Sequence, residues 1–151
     1  MKEAISDVAM FHEVFDLPIA EKPTQVTAKQ MQLRLDLLDE EYCEYRRAAQ
    51  SGDLVEIADA LADIIYIAIG TALVYGIPLE EVWESVQMSN ISKAGPCPDC
   101  DSYGVDYENQ PCRWCSGNGY LVNYFPNGKV AKPEGWKAPD IKAIIEKARN
   151  G

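Results

Sequence analysis

Histidine is almost absent from this chain, which has a single one, His12, in 151 residues. With no Glu-x-x-His pair present, a di-iron carboxylate centre of the kind built inside helical bundles is excluded. Positive charge is scarce as well: 14 Lys and Arg face 24 Asp and Glu, for a net charge of −10. That sign disfavours non-specific binding to nucleic acid, which draws on a basic surface, and it suits a protein that holds divalent cations. No secretion leader is expected, since "MKEAISDVAMFHEVF" is amphipathic and lacks an apolar core followed by small residues. The apolar run "LADIIYIAIGTALVYGI" carries Asp63 and is expected to be too short and too well capped to span a membrane. The expected setting is cytoplasmic, with neither a membrane nor a nucleic acid as partner.

Apolar residues make up 47% of the chain and charged ones 25%, ordinary proportions for a globular protein with a real core. The helical spacing of Ile5, Val8, Ala9, Phe11 and Phe15 predicts a first helix over Ala4–Phe15, and Pro18 and Pro23 break the pattern after it. Thr27 can cap a second helix running to about Gln50. Asp53 is a good N-cap for a third, Leu54 to about Tyr75, with Gly76 as C-cap, and Pro78 opens a fourth running to about Ile91. The short connections imply an antiparallel four-helix bundle and an all-α fold. At Gly95 the character changes to Gly, Pro, Cys and aromatics, and short β pieces around Tyr120–Phe125 and Lys129–Ala131 flank a "PNG" turn. A last helix, Asp140–Arg149, closes the chain. The division that results is 1–94 for the helical domain, 95–122 for an insertion, and 123–151 for a loop and helix packing back on the bundle.

Carboxylates are abundant, and some sit where apolar residues are expected. At about 100° per residue, Glu40, Glu41 and Glu44 fall within an arc of about 100° that also holds Leu33, Leu37 and Ala48. A second apolar stripe (Met31, Leu38, Tyr42, Tyr45, Ala49) runs along another face of the same helix. The third helix is apolar nearly all round, which marks it as central in its bundle. Its exceptions, Glu56, Asp59 and Asp63, share an arc of about 60°. Ionised carboxylates cost several kcal/mol each to bury alone, and a bound Mg²⁺ or Mn²⁺, which prefers oxygen ligands, resolves the conflict. Glu40, Glu44, Glu56, Asp59 and Asp63 are the candidate metal ligands. Glu56 stands three residues after Asp53, so it equally suits a helix-terminus role, and Glu41, at the edge of its arc, has a solvated face as its lesser alternative. Arg46 and Arg47 suit the surface, an ion pair with these acids, or a phosphate.

The strings "EEYCE" and "EIADALAD" resemble the EExxE…ExxD signature of the all-α NTP pyrophosphatases, which include the MazG-like proteins, phosphoribosyl-ATP pyrophosphohydrolases and dimeric dUTPases. The likeness covers roughly residues 4–94 and the tail "NGKVAKPEGWKAPDI". It departs in one place: the position three before Asp63 is Ala60, and the alternative ExxD is Glu56–Asp59. The resemblance implies an Mg²⁺-dependent diphosphatase that converts an NTP or dNTP to the monophosphate and pyrophosphate. It implies Glu40, Glu41, Glu44 and Asp63 as catalytic residues, and a homodimer or homotetramer. Asn90 and Lys93 in "SNISK", with Lys129 and Lys132 in "NGKVAK", are its candidates for substrate phosphate, against the plainer reading of solvated loop lysines.

Four of the five cysteines form two pairs, Cys97–Cys100 and Cys112–Cys115, with eleven residues between them. In a chain without an evident leader such pairs read as a structural zinc site of four thiolates. "CRWCSGNG" resembles the CxxCxGxG form of the DnaJ zinc domain, and "CPDCDSYG" does so loosely. A small coreless insertion needs such a staple. Cys43 reads as a small core residue, and His12 as a partly exposed structural residue or a substrate contact. A different class of function, a non-catalytic adaptor whose zinc ribbon recruits a protein or single-stranded nucleic acid, leaves the inward acids without a purpose. From Lys93 to Val122 two basic residues face four acidic ones, so a nucleic-acid footprint is missing there.

Overall fold

A computed structural model describes residues 1–151 as an all-α protein. Its helices are α1 (Lys2–Val14), α2 (Ala28–Ser51), α3 (Leu54–Tyr75), α4 (Leu79–Ile91) and α5 (Ile141–Asn150). Two short strands, β1 (Gly95–Pro96) and β2 (Tyr120–Leu121), lie between α4 and α5. The chain divides into two compact units: residues 1–82 with 141–151, and residues 83–140.

In the first unit the helix ends follow local chemistry. Thr27 Oγ1 accepts from the Gln30 amide at 3.2 Å while Gln30 Oε1 accepts from the Thr27 amide at 3.0 Å, a complete capping box for α2. Asp53 Oδ1 accepts from the Val55 and Glu56 amides at 3.0 and 3.3 Å to start α3. Gly52 and Gly76, both left-handed, end α2 and α3. The connection after α1 is tied to the end of α3: the Ala20 amide donates to the Leu73 carbonyl and the Thr24 amide to that of Tyr75.

α3 packs on α2 and on α1. Val8 and His12, one turn apart on α1, are both 2% exposed. His12 is therefore fully buried, a correction to its expected partial exposure. Its place one turn after Val8 aims it at Gly70 of α3, whose missing side chain leaves room for the ring. Its Nδ1 donates to the Pro18 carbonyl at 3.0 Å. Arg34 of α2 reaches the same place, donating from Nε to Thr71 Oγ1 at 3.1 Å and from Nη2 to the Ile67 carbonyl at 3.2 Å. Burial pulls its guanidinium pKa below the ordinary value.

α3 also corrects the expectation of too short a span. At 22 residues it is long and apolar enough, by length and composition only, to cross a membrane. Asp59 and Asp63 interrupt it, and its packing on α1 and α2 is that of a bundle helix. Only 28% of its most apolar stretch is buried within one chain; Ile69, Gly70, Ala72 and Val74 are its buried residues in the C-terminal half and Ala60 in the N-terminal half. α5 joins this unit through Lys147 Nζ to Glu81 Oε2 at 3.2 Å and Arg149 Nε to the Pro23 carbonyl at 3.2 Å.

The second unit has no apolar core of its own in the ribbon. Its buried cluster is Cys97, Cys100, Cys112 and Cys115, with Leu121 packed against it. β1 and β2 pair antiparallel, Gly95 with Leu121 and Pro96 with Tyr120. Gly104 and Gly119 adopt φ of 76° and 77°, and a Cβ on either would run into a backbone carbonyl, that of Gly117 or of Ser102. The expected β pieces around the "PNG" turn shrink to β2 and one antiparallel bridge, Tyr124 to Val130. Pro133 has no N–H with which to extend that ladder.

Candidate functional site

Five acids lie on α2 and α3 of the first unit, near enough for their charges to act on one of them. Glu41 of α2 is half-buried, and Glu40, Glu44, Asp59 and Asp63 around it are exposed. Glu41's carboxyl is pushed above the ordinary value, first by desolvation and then by the charges of Asp63, Glu44, Glu40 and Asp59. Glu40 and Glu44 of α2 and Asp59 and Asp63 of α3 thus lie within electrostatic reach of Glu41. Ala60, the residue that interrupts one ExxD register, is 3% exposed. It faces the helix packing, whereas Asp59 and Asp63 flank Glu41 from one turn apart.

Glu56 stands outside this group. It lines a shallow cavity of about 340 Å³ with Glu44, Arg47, Ala48, Ser51 and Asp53. Asp53 caps α3 through the Glu56 amide, and the reciprocal side-chain bond of a capping box is found at Thr27–Gln30, not here. Arg47 Nη2 lies 3.5 Å from Glu44 Oε1 in a solvent-exposed pair, and its Nε donates to the Cys43 carbonyl at 3.3 Å. Cys43 is a half-buried free thiol.

The donor chemistry of Glu40, Glu44, Asp59 and Asp63 is all carboxylate oxygen, which fits Mg²⁺ or Mn²⁺. Their exposure leaves them free to turn toward an ion. The four cysteine sulfurs are already assembled, all within 4.8 Å of one another. Cys97 and Cys112 Sγ are 3.9 Å apart, and Cys100 and Cys115 Sγ 3.7 Å. Thiolates at about 2.3 Å from one tetrahedral zinc stand roughly 3.8 Å apart, so the set can hold a metal such as zinc. Backbone amides serve this site: the Gly119 N–H donates to Cys115 Sγ at 3.1 Å. Burial opposes the Cys115 thiolate, but that amide and the three other thiols bring its pKa down to about 7. Cys112 is pushed up to about 12, because burial and the Cys115 and Cys100 thiols outweigh the backbone amides of Cys115 and Trp114.

In the second unit the structure brings Lys93 and Lys132 to one aromatic ring, that of Trp136, at 5.5 and 4.2 Å from Nζ to the centroid. Asn90 joins them through Lys93 Nζ at 2.6 Å. Lys129 is exposed on the turn of the Tyr124–Val130 bridge. Trp136 escaped the sequence reading, although it is the sole aromatic among the six cations from Lys129 to Arg149. Arg34 escaped it too, since a lone arginine in a helix carries no sign of burial.

The profile of a family described as phosphoribosyl-ATP pyrophosphohydrolase matches residues 8–90, more than half of the 151 residues. An uncharacterized protein of Acanthamoeba polyphaga mimivirus is 41% identical over 69 residues, 46% of this chain. The match spans 24% of that viral protein.

Proposed function

The chain belongs to the phosphoribosyl-ATP pyrophosphohydrolase family, and on that premise we propose that it is an Mg²⁺-dependent nucleoside triphosphate diphosphatase. Membership supports a nucleotide pyrophosphohydrolase type of activity in general; the reaction proposed is hydrolysis of an NTP or dNTP to NMP and pyrophosphate. The observation that carries it is the set of carboxylates on the packed pair α2 and α3, Glu40, Glu44, Asp59 and Asp63, whose charges reach the half-buried Glu41. Glu40, Glu44, Asp59 and Asp63 would hold the ion, with Glu56 at the margin. Bound Mg²⁺ supplies neutralisation of phosphate charge and a more acidic water.

The chain's own groups do the rest. The Glu41 carboxylate, made more basic by desolvation and by the neighbouring acids, takes the proton from the attacking water. The water oxygen bonds to the α-phosphorus, the bond to the bridging oxygen breaks, and pyrophosphate leaves with that electron pair. Within the second unit, Asn90, Lys93, Lys129 and Lys132 carry amide and ammonium groups suited to phosphate oxygens.

A homo-oligomer belongs to the same reading. Leu54, Val55, Leu61 and Ile65 on the N-terminal part of α3 are 78, 76, 43 and 55% exposed, an apolar surface that a second copy would cover. Size-exclusion chromatography with light scattering tests it, and a monomer at micromolar concentration refutes it. For the activity, a panel of ordinary and damaged NTPs and dNTPs is screened for Mg²⁺-dependent pyrophosphate release. Full release by Glu44→Ala and Asp63→Ala variants would sink the acidic site.

A further inference from the structure

Two ammonium groups share one indole in the second unit, and the ring between them is tied down. Trp136 Nε1 donates to the Ser89 carbonyl at 2.9 Å. Ser89 Oγ donates in turn to the Lys137 carbonyl at 3.2 Å, so the tail is stitched to the last turn of α4 at Trp136 and at the residue after it. Lys132 Nζ at 4.2 Å and Lys93 Nζ at 5.5 Å from the ring centroid both lie inside the roughly 6 Å reach of cation–π attraction. The ion pairs of the structure, Arg47–Glu44, Lys142–Glu146 and Lys147–Glu81, leave both lysines without a carboxylate.

That arrangement runs against the composition. In a chain of net charge −10, acids are the common neighbours, yet here two cations are gathered where their charges repel. The helix dipole accounts for Lys93 alone, which follows the C-terminal end of α4. Lys132 comes from a segment about forty residues on in the sequence and gains nothing from that dipole. Each ammonium has three donors, and only one of the six is taken, by Asn90 Oδ1 at 2.6 Å. A ring face satisfies no donor in full. The chemistry that would use the remainder is an anion carrying several oxygens and at least two charges.

We propose that Trp136 is the positioning residue of a polyphosphate subsite: its anchored indole gathers Lys93 and Lys132 so that both ammonium groups meet one pyrophosphate group. The identity of the ligand rests on the hydrolase reading; the gathering of the two cations rests on the ring geometry. Trp136 does not touch phosphate. It acts through the lysines, and their transfer from ring to phosphate oxygens changes the surroundings of the indole.

The full chain with Trp83→Phe and Trp114→Phe keeps Trp136 as its one tryptophan and is titrated with inorganic pyrophosphate in the absence of divalent ions. A saturable change in emission is expected, absent when Lys93→Ala and Lys132→Ala are added. In the otherwise unaltered chain, Trp136→Leu is expected to raise KM for nucleotide about tenfold with kcat nearly unchanged, and Trp136→Phe, which keeps a ring, to recover most of the loss. Unchanged emission up to millimolar pyrophosphate, or an unchanged KM in Trp136→Leu, overturns the proposal even where hydrolysis is robust. Should Trp136→Leu fail to fold, the Phe variant and the double lysine variant decide the matter by the same two readouts. Pyrophosphate binding without hydrolysis of any nucleotide would remove the hydrolase reading and leave the subsite standing.

Discussion

A single methyl group at Gly70 tests how tightly α1, α2 and α3 are joined. A Cβ there would lie 2.8 Å from Arg34 Nη2 and 2.9 Å from His12 Nε2, where ordinary contact needs roughly 3.5 Å. The Arg34 and His12 side-chain ends must withdraw by about 0.7 and 0.6 Å on that comparison. Neither is loose. His12 is held by the Pro18 carbonyl at 3.0 Å, and Arg34 by Thr71 Oγ1 and the Ile67 carbonyl at 3.1 and 3.2 Å. Overpacking of a fixed site costs about 1–3 kcal/mol, and loss of one charged hydrogen bond adds about 1.5 kcal/mol. Against this, alanine is the better helix former by about 1 kcal/mol. The net expectation for Gly70→Ala is a loss of about 1.5–3.5 kcal/mol. For a chain of this size that is a fall in Tm of roughly 3–14 °C, read by far-UV circular dichroism. In a His12→Ala background Gly70→Ala should cost less than in the parent, since half of the clash is gone. A Gly70→Ala protein as stable as the parent would mean that helix propensity wins and the node is slack.

Other perturbations address the site itself. Asp63→Asn is expected to lower Mg²⁺-dependent pyrophosphate release by about a hundredfold or more, with little change in the circular dichroism of an exposed position. Glu41 holds its proton more tightly in the folded chain than the ordinary carboxyl does. Its contribution therefore favours folding at acid pH and is lost as pH rises through the ordinary carboxyl value toward the raised one. Glu41→Gln should accordingly raise Tm at pH 7 without divalent ions while abolishing turnover, and Mg²⁺ should stabilise the parent more than this variant. Zinc binding displaces thiol protons, so metal content measured by elemental analysis should fall as pH is lowered. Cys112→Ser should lose the metal while the helical signal of residues 1–82 persists.

Element boundaries were largely legible because they are written in local chemistry. Asp53 and Gly76 bracket α3 where capping rules put them, and Thr27 opens α2 as expected. The acids were legible because Glu41 and Asp63 interrupt apolar stripes. Which side of α2 is covered was less so. Leu33, expected in the packed stripe, is 54% exposed, while Arg34 beside it is 9% exposed. Periodicity identifies an apolar face, and α2 covers a mixed one, with Arg34, Glu41 and Ala48 at seven-residue intervals toward α3. Trp136 and its lysines were illegible for another reason. Its hydrogen bond to Ser89 crosses 47 residues of sequence, and no local pattern reports a partner at that separation.

The same mixed face bears on alignment. A seam of leucines accepts several positions of one helix along another, since any leucine fits another's place. A guanidinium fits few. If α2 slid by one turn along α3, Arg34 would leave the Thr71 hydroxyl and the Ile67 carbonyl for side chains without an acceptor, and a buried unpaired cation is strongly disfavoured. Arg34 thus acts as an index mark for the helix pair. Glu40, Glu41 and Glu44 inherit their offset from Asp59 and Asp63 from a residue that takes no part in holding the ion, so the acids can be varied one at a time without the helices losing their place.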